Sequence, residues 1–257
     1  MLPRNDFLKG KLGLVVGVAN EHSIAAGCAA AFHASGAKLC LTHQTEKSLR
    51  FVEPVATAVD AELFLPLDVT DTAQIDAVFA AIEKTWGKLD FLVHSIAYCP
   101  RDDLHGRVVD CSRDGFATAM DVSVHSLIRL ANRAEPLMAD GGTILTVSYH
   151  GAEKVVDHYN IMGPVKAALE ATTRYLSVEL GSKNIRVNAL SPGPLETRAA
   201  SGIDHFDDLI DDARRRAPLH RLTTIDEVGA MAACLVSDFA GSVSGNTAYI
   251  DGGHHVV

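Results

Sequence analysis

Tyr159 and Lys166 stand seven residues apart, with Tyr149 ten residues further upstream. At about 100° per residue, seven residues make close to two turns, so a helix would put this phenol and ammonium on one face. A phenol can donate to an oxygen that gains negative charge during a reaction, and a nearby ammonium adds positive charge. The same pair also suits a half-buried helix face with no chemistry. Their company tips the balance, because further candidate residues fall just after neighbouring apolar runs.

The run ending at Gly17 is followed by Val-Ala-Asn-Glu-His-Ser-Ile-Ala-Ala-Gly. The generic G-x-G-x-x-G fingerprint is absent. Gly17 and Gly27 can still serve a tight turn and close helix packing, and Ser23 can cap a helix whose free N–H groups would face a pyrophosphate. A dinucleotide site places its ribose reader about 20 residues later, and there stands Thr42-His-Gln44-Thr-Glu46. Gln44 can bond ribose hydroxyls and Glu46 would repel a 2′-phosphate, so NADH is favoured over NADPH. Lys47 and Arg50 read as a solvated helix face. Asp68-Val69 puts a carboxylate where it could accept from an adenine amino group, or cap the helix before Thr72. His94-Ser95-Ile96-Ala97 is small and nearly uncharged, which would let a ring approach the backbone.

Bringing these residues together takes a sheet. Apolar runs at Leu12–Gly17, Lys38–Thr42, Leu63–Leu67, Phe91–His94, Thr143–Ser148, Ile185–Ala189 and Thr247–Ile250 read as strands. Between them, Ser23–Ser35, Thr72–Trp86, Ser112–Met138, Tyr159–Gly181 and Ile225–Ser237 carry the helical period. Strands this apolar, without alternation, suit a parallel sheet covered on both faces. The prediction is a single-domain, Rossmann-like α/β fold over residues 1–257: a doubly wound parallel sheet of about seven strands with helices on both faces. Ligands then bind beyond the carboxyl ends of the strands, where the residues above fall.

Composition narrows the function classes. The 257 residues are 47% apolar and 21% charged, with a formal net charge of −9. That acidity argues against a grip on nucleic acid phosphates. No apolar run approaches the ~20 residues that span a bilayer, and Met1 to Gly10 lacks the apolar core of a signal peptide, so a soluble cytoplasmic protein is expected. Five cysteines without a C-x-x-C argue against disulfides and structural zinc. Twelve histidines, His254-His255 among them, come without a carboxylate or cysteine cluster, so no metal is expected.

Taken in order, these motifs resemble the short-chain dehydrogenase/reductase superfamily, and within it the enoyl-acyl-carrier-protein reductases. The resemblance covers essentially the whole chain. It rests on Gly17-Val-Ala-Asn-Glu-His-Ser23-Ile24, His43-Gln44, Asp68-Val69 and Val93-His94-Ser95-Ile96. It continues through Ser148-Tyr149-x-Gly-Ala-Glu, Tyr159-Asn-x-Met162-Gly-x-x-Lys166, Arg186-Val-Asn-Ala, Gly193-Pro-x-x-Thr197-x-Ala-Ala-Ser-Gly-Ile203 and Asp251-Gly-Gly. Ordinary members of the superfamily carry Tyr four residues before the Lys, where this chain has Met162. They carry Ser where it has Tyr149, and Asn-Asn-Ala-Gly where it has His-Ser-Ile-Ala. All three departures are those of the enoyl reductases.

The resemblance implies hydride delivery from NADH to the β-carbon of a trans-2-enoyl thioester. Tyr159 would bond the thioester oxygen as an enolate forms, and Lys166 would bond the nicotinamide ribose and favour a lowered phenol pKa. Tyr149 would be a second active-site tyrosine, polar in role or a wall of the acyl pocket. Gly17, Ser23, Ile24, Gln44, Asp68, Val69, Ser95, Ile96, Leu195 and Thr197 would join Lys166 in holding the cofactor. Residues around 197–216 would form a substrate-binding helix or loop, with Phe206 and Met162 against the acyl chain and Cys99 touching substrate through its backbone. A homotetramer with helix-pair interfaces is also implied.

Relatives often carry basic residues after Ile203, suited to an acidic carrier protein, where this chain has Asp204, Asp207 and Asp208. An acyl carrier protein would then dock elsewhere, for instance on Arg214, Arg215 and Arg216, or the substrate would ride on coenzyme A or a specialised carrier. The charges also suit a solvated helix with Asp211/Arg215 and Asp212/Arg216 pairs. A non-catalytic NAD-binding scaffold is disfavoured, because Tyr159 and Lys166 are both present.

Overall fold

The computed structural model describes residues 6–195 and 206–257. Seven strands form one parallel sheet: β1 (Leu12–Val16), β2 (Lys38–His43), β3 (Leu63–Pro66), β4 (Phe91–His94), β5 (Gly142–Val147), β6 (Ile185–Pro192) and β7 (Thr247–Ile250). Their order across the sheet is β3-β2-β1-β4-β5-β6-β7. The chain winds outward from β1 in one direction, then crosses back to β4 and winds in the other. The switch point therefore lies between β1 and β4, with Val16 paired to His94.

Nine helices connect the strands among the described residues: α1 (Ile24–Ala34), α2 (Glu46–Ala58), α3 (Thr72–Trp86), α4 (Arg101–His105), α5 (Arg113–Met120), α6 (Ser126–Ala134), α7 (Met162–Gly181), α8 (Phe206–Arg216) and α9 (Ile225–Val236). Alternate strand residues feed two separate cores. Leu14, Val16, Leu92, Ile144 and Val187 pack under α3, α6 and α7. Val15, Leu39, Val93, Leu145 and Leu190 pack under α1, α2 and α9. Both faces are dry, which explains apolar runs without alternation. No helix among the described residues is long and apolar enough to cross a membrane.

Two predicted helices differ from those observed, and both differences bear on the site. The stretch Ser112–Met138 is not continuous: a wide π-type turn at Asp121–His125 separates α5 from α6, and α6 stops at Ala134. Ser126 Oγ donates to the Val122 carbonyl at 2.6 Å, a side-chain bond that competes with the helical ladder. Pro136 lacks the N–H and the room to let the helix continue. The stretch from Tyr159 begins three residues late, at Met162, because His158 and Asn160 take left-handed backbone conformations (φ 62° and 46°).

Candidate active site

The cofactor edge is built largely from backbone. Gly17 leaves β1 with φ 105°, and a Cβ there would run into the Ser95 carbonyl beyond β4. Only glycine lets the two strand ends approach this closely. Ser23 then caps α1, accepting from Ala26 N at 3.3 Å and donating to the Asn20 carbonyl at 2.7 Å. Ile24 opens that helix, whose amino end carries the partial positive charge suited to a pyrophosphate. At the ends of β2 and β3, Gln44 is exposed and bonds the half-buried Asp68, while Val69 is buried. Burial works against ionisation of Asp68, but hydrogen bonds from Thr70 and Gln44 and the charge of Arg129 outweigh it and hold its carboxyl below the usual range. Asp71 rather than Asp68 caps α3. Ser95 N bonds the Val16 carbonyl at 2.9 Å, and Ser95 and Ile96 remain half-exposed beside Gly17. On β6, Ser191 is buried with an unpartnered hydroxyl at the same sheet edge. This glycine cradle, free helix end and orphaned hydroxyl fit a dinucleotide.

The reactive side chains lie beyond β5. Ser148 and Tyr149 follow the strand directly, and the Tyr149 ring meets the Tyr159 ring edge-on at 4.9 Å. Tyr159 sits in the turn before α7, not on the helix. Asn160 ties that turn to α4 by donating to the Leu104 carbonyl at 2.9 Å. Lys166, one turn into α7, is buried and donates to the Val147 carbonyl at 2.6 Å. Burial pushes its pKa down to about 8, against the pull of Glu170.

The expectation of a lowered phenol pKa fails for the unliganded protein. Burial raises Tyr159 well above the usual phenol range, and Tyr149 and Glu170 add to the rise; Tyr149 is raised by burial and by Asp251 and Asp212. Both phenols are therefore neutral donors at physiological pH.

A cavity of about 580 Å³ opens beside Tyr149, lined by residues that include His150, Val156, Asp212, Arg216 and His254. Neither Met162 nor Cys99 is among its lining residues. Met162 is packed into the same core as Tyr159. Cys99 is buried, and burial together with Asp103 and Cys111 pushes its thiol up to about 11, so it is unreactive. Leu195 is buried against the α9-side core. Thr197 and Asp204 lie outside the described residues, and of Phe206 only its place at the start of α8 is described.

A sequence model of the enoyl-(acyl carrier protein) reductase family matches residues 17–255. The chain belongs to this family. It is 49% identical over 257 residues to enoyl-acyl-carrier-protein reductase (NADH) 1 of Rhizobium meliloti (strain 1021), covering 100% of this chain and 94% of that one. Among solved structures, the reductase of Anaplasma phagocytophilum in complex with NAD is 45% identical, with a TM-score of 0.96 over 100% of this chain and 98% of its own. The Bacillus cereus enzyme, with NADP+ and an indole naphthyridinone, is 43% identical, with a TM-score of 0.95 over 98% of this chain and 99% of its own.

Ser126 and Glu170 give no distinct signal in the sequence, and His94 enters there only within the His-Ser-Ile-Ala run. His94 is fully buried, with Nδ1 2.9 Å from Thr146 Oγ1 and Nε2 2.8 Å from Ser126 Oγ. Burial and Lys166 push its pKa down to about 3, so it is a neutral brace beneath Ser95. Its partner Ser126 is aimed by the π-type turn that periodicity smoothed over. Glu170 is buried one turn beyond Lys166 and reads as an ordinary helix carboxylate in the sequence. On α8 the pairing also shifts: Arg214 meets Asp211 at 3.0 Å, and Arg215 and Arg216 both meet Asp212, at 2.7 and 3.3 Å. The expected Asp211/Arg215 pair gives way to pairs three residues apart.

Proposed function

We propose that this protein catalyses the NADH-dependent reduction of trans-2-enoyl thioesters, carried by acyl carrier protein, to saturated acyl thioesters in fatty acid elongation. The observation that carries this reading is the edge-on contact of Tyr149 with Tyr159, together with a buried Lys166 tied to the same strand end, at the edge that holds the glycine cradle. Bound NADH supplies the hydride. Tyr159, a buried neutral phenol, donates a hydrogen bond to the thioester oxygen as charge builds there, in a site dry enough to make that bond strong. Lys166 holds the nicotinamide ribose hydroxyls, Gln44 the adenosine ribose, and Asp68 the adenine amino group. Leu195 and Thr197 border the nicotinamide. Tyr149 closes the acyl side, and Met162, Phe206 and the Cys99 backbone are assigned to the substrate by the family resemblance alone.

The test is NADH oxidation, followed by absorbance, with 2-enoyl thioesters. Tyr159→Phe is expected to lower kcat about 10²- to 10³-fold while leaving NADH affinity unchanged. Reduction of ketoacyl but not enoyl thioesters by the wild type overturns the assignment.

A second reading, coenzyme A or a specialised carrier as the substrate's handle, is supported by α8. Its three arginines are each paired within the helix, leaving little net positive charge for an acidic carrier. Running the same assay with both thioesters separates the readings: a strong, salt-sensitive carrier preference supports the first, equal kcat/KM the second.

A cytoplasmic homotetramer is part of the proposal. It is supported by the outer face of α7, where Tyr175 and Val178 are 75% and 81% exposed, and by exposed Phe116 and Ile128 on α5 and α6.

A further inference from the structure

We propose that Glu170 is the positioning residue of this site: a buried carboxylate that keeps the Lys166 ammonium charged and fixes the strand end carrying Tyr149. The inference rests on the reading that Lys166 holds the nicotinamide ribose. Glu170 lies four residues beyond Lys166 on α7, so the two share one helix face, and both are at least nine-tenths buried. Its Oε1 accepts from Ser148 Oγ at 2.5 Å, and Thr247 on β7 bonds it from the other side. Ser148 stands between Val147, whose carbonyl receives Lys166, and Tyr149, whose ring packs on Tyr159. Ser148 N is itself tied to the Leu190 carbonyl of β6 at 2.7 Å. One carboxylate thereby joins α7, β5 and β7 at the point where all the reactive side chains converge.

A carboxylate is a costly choice for that joint. A glutamine could accept the Ser148 bond through its one amide oxygen without bringing a charge out of water. The charge has a use only if a cation needs it, and Lys166, one turn back on the same face of α7, is a buried cation. Other groups face the pair. Arg174, one turn further along α7, is exposed and screened by solvent. Burial, with Glu153 in the turn after β5, raises the pKa of Glu170 above the usual carboxylate value against the pull of Ser148, Thr247 and Arg174, and Tyr249 on β7 is a neutral phenol beside it. His94 faces Lys166 from β4 and is neutral. Glu170 is then the counter-charge that limits the fall of the Lys166 pKa on burial.

NADH affinity measured by fluorescence titration across neutral and alkaline pH tests this directly. In the wild type, affinity is lost as pH rises through the Lys166 pKa, because the ribose partner loses its charge. Glu170→Gln keeps the shape and the acceptor for Ser148, and its alkaline limb is expected to move roughly one pH unit lower, a tenfold change in the proton equilibrium. Glu170→Asp should move it back toward the wild-type position. Ser148→Ala should leave the limb in place and lower kcat several-fold without changing the KM for NADH. A folded Glu170→Gln protein with an unmoved limb overturns the proposal. If that variant does not fold, Glu170→Met, which also removes the charge at similar length, takes its place: a limb displaced toward lower pH supports the proposal, and an unmoved limb overturns it. A wild type without an alkaline limb, or a limb that persists in Lys166→Arg, overturns the assignment of Lys166 to the ribose and this inference with it.

Discussion

The two sides of the sheet edge are made of different material. At the β1–β4 switch point, the cofactor edge is mostly backbone: Gly17 against the Ser95 carbonyl, the amino end of α1 under its Ser23 cap, and a strand end locked to Val16. Around Tyr149, the substrate edge is mostly side chains, held where regular structure fails. Tyr159 sits in a turn with left-handed residues on either side of it, and a cavity of about 580 Å³ separates Tyr149 from α8. The difference matches the ligands each side would take. A dinucleotide is always the same shape and can be met by fixed backbone, whereas an acyl thioester varies and is met by groups that can be exchanged without moving a strand.

Substitutions should break the first region sharply and the second gradually. The largest expected effect is at Gly17. Gly17→Ala puts a Cβ into the Ser95 carbonyl at a positive φ, and should weaken NADH binding more than tenfold and cost roughly 2–4 kcal/mol of stability. Fluorescence titration and denaturant unfolding would show it; unchanged affinity would mean that the cofactor does not bind over this cradle. A smaller effect, about tenfold in the ratio of kcat/KM for NADPH over NADH, is expected from Gln44→Arg combined with Glu46→Lys, which replaces a repelling carboxylate by cations. A constant ratio would remove the ribose reader from the end of β2.

The smallest effect concerns pH and stability, and it reaches both regions. Burial pushes His94 down to about 3 and His150 down to about 4, with His254, Lys154 and His255 also lowering His150 against the pull of Asp251. Unfolded histidines take up protons near 6.5 while these two stay neutral, so stability is lost as pH falls from about 6.5 toward those values. His150→Phe should also remove a buried unpartnered Nδ1, and should narrow the Tm difference between neutral and mildly acidic pH by a few degrees. An unchanged slope would place His150 in contact with water.

Much of this protein was legible before any coordinates. The strands are readable because each is a short apolar run closed by a polar or glycine-rich turn, and their ends match expectation to within one residue, except β6, which runs three residues further, to Pro192. Gly17, Ser23, Gln44, Tyr149, Tyr159 and Lys166 can be singled out by type and spacing together with the resemblance to the enoyl reductases. The helix breaks at Asp121 and before Met162 were not readable. Periodicity averages over several residues and cannot see one serine bonding backward, or two residues turning left-handed. On α8 the expected Asp212/Arg216 pair forms, whereas Asp211 takes Arg214 instead of Arg215, since three and four residues are equally near on a helix surface and the local rotamers decide the partner.

Amino-acid types and their order thus determined the doubly wound sheet, the dinucleotide edge and the pair of tyrosines with their lysine. Those features follow from local hydrophobic pattern, glycine placement and fixed spacing, all properties of the chain itself. The tertiary structure decided the charge states. Burial first, with the charges packed nearby, raises both phenols and holds His94 neutral, and burial lowers Lys166 to about 8, because desolvation depends on everything packed around a group. It also decided that Glu170, four residues from Lys166 in the chain, meets Ser148 just after β5, 22 residues away.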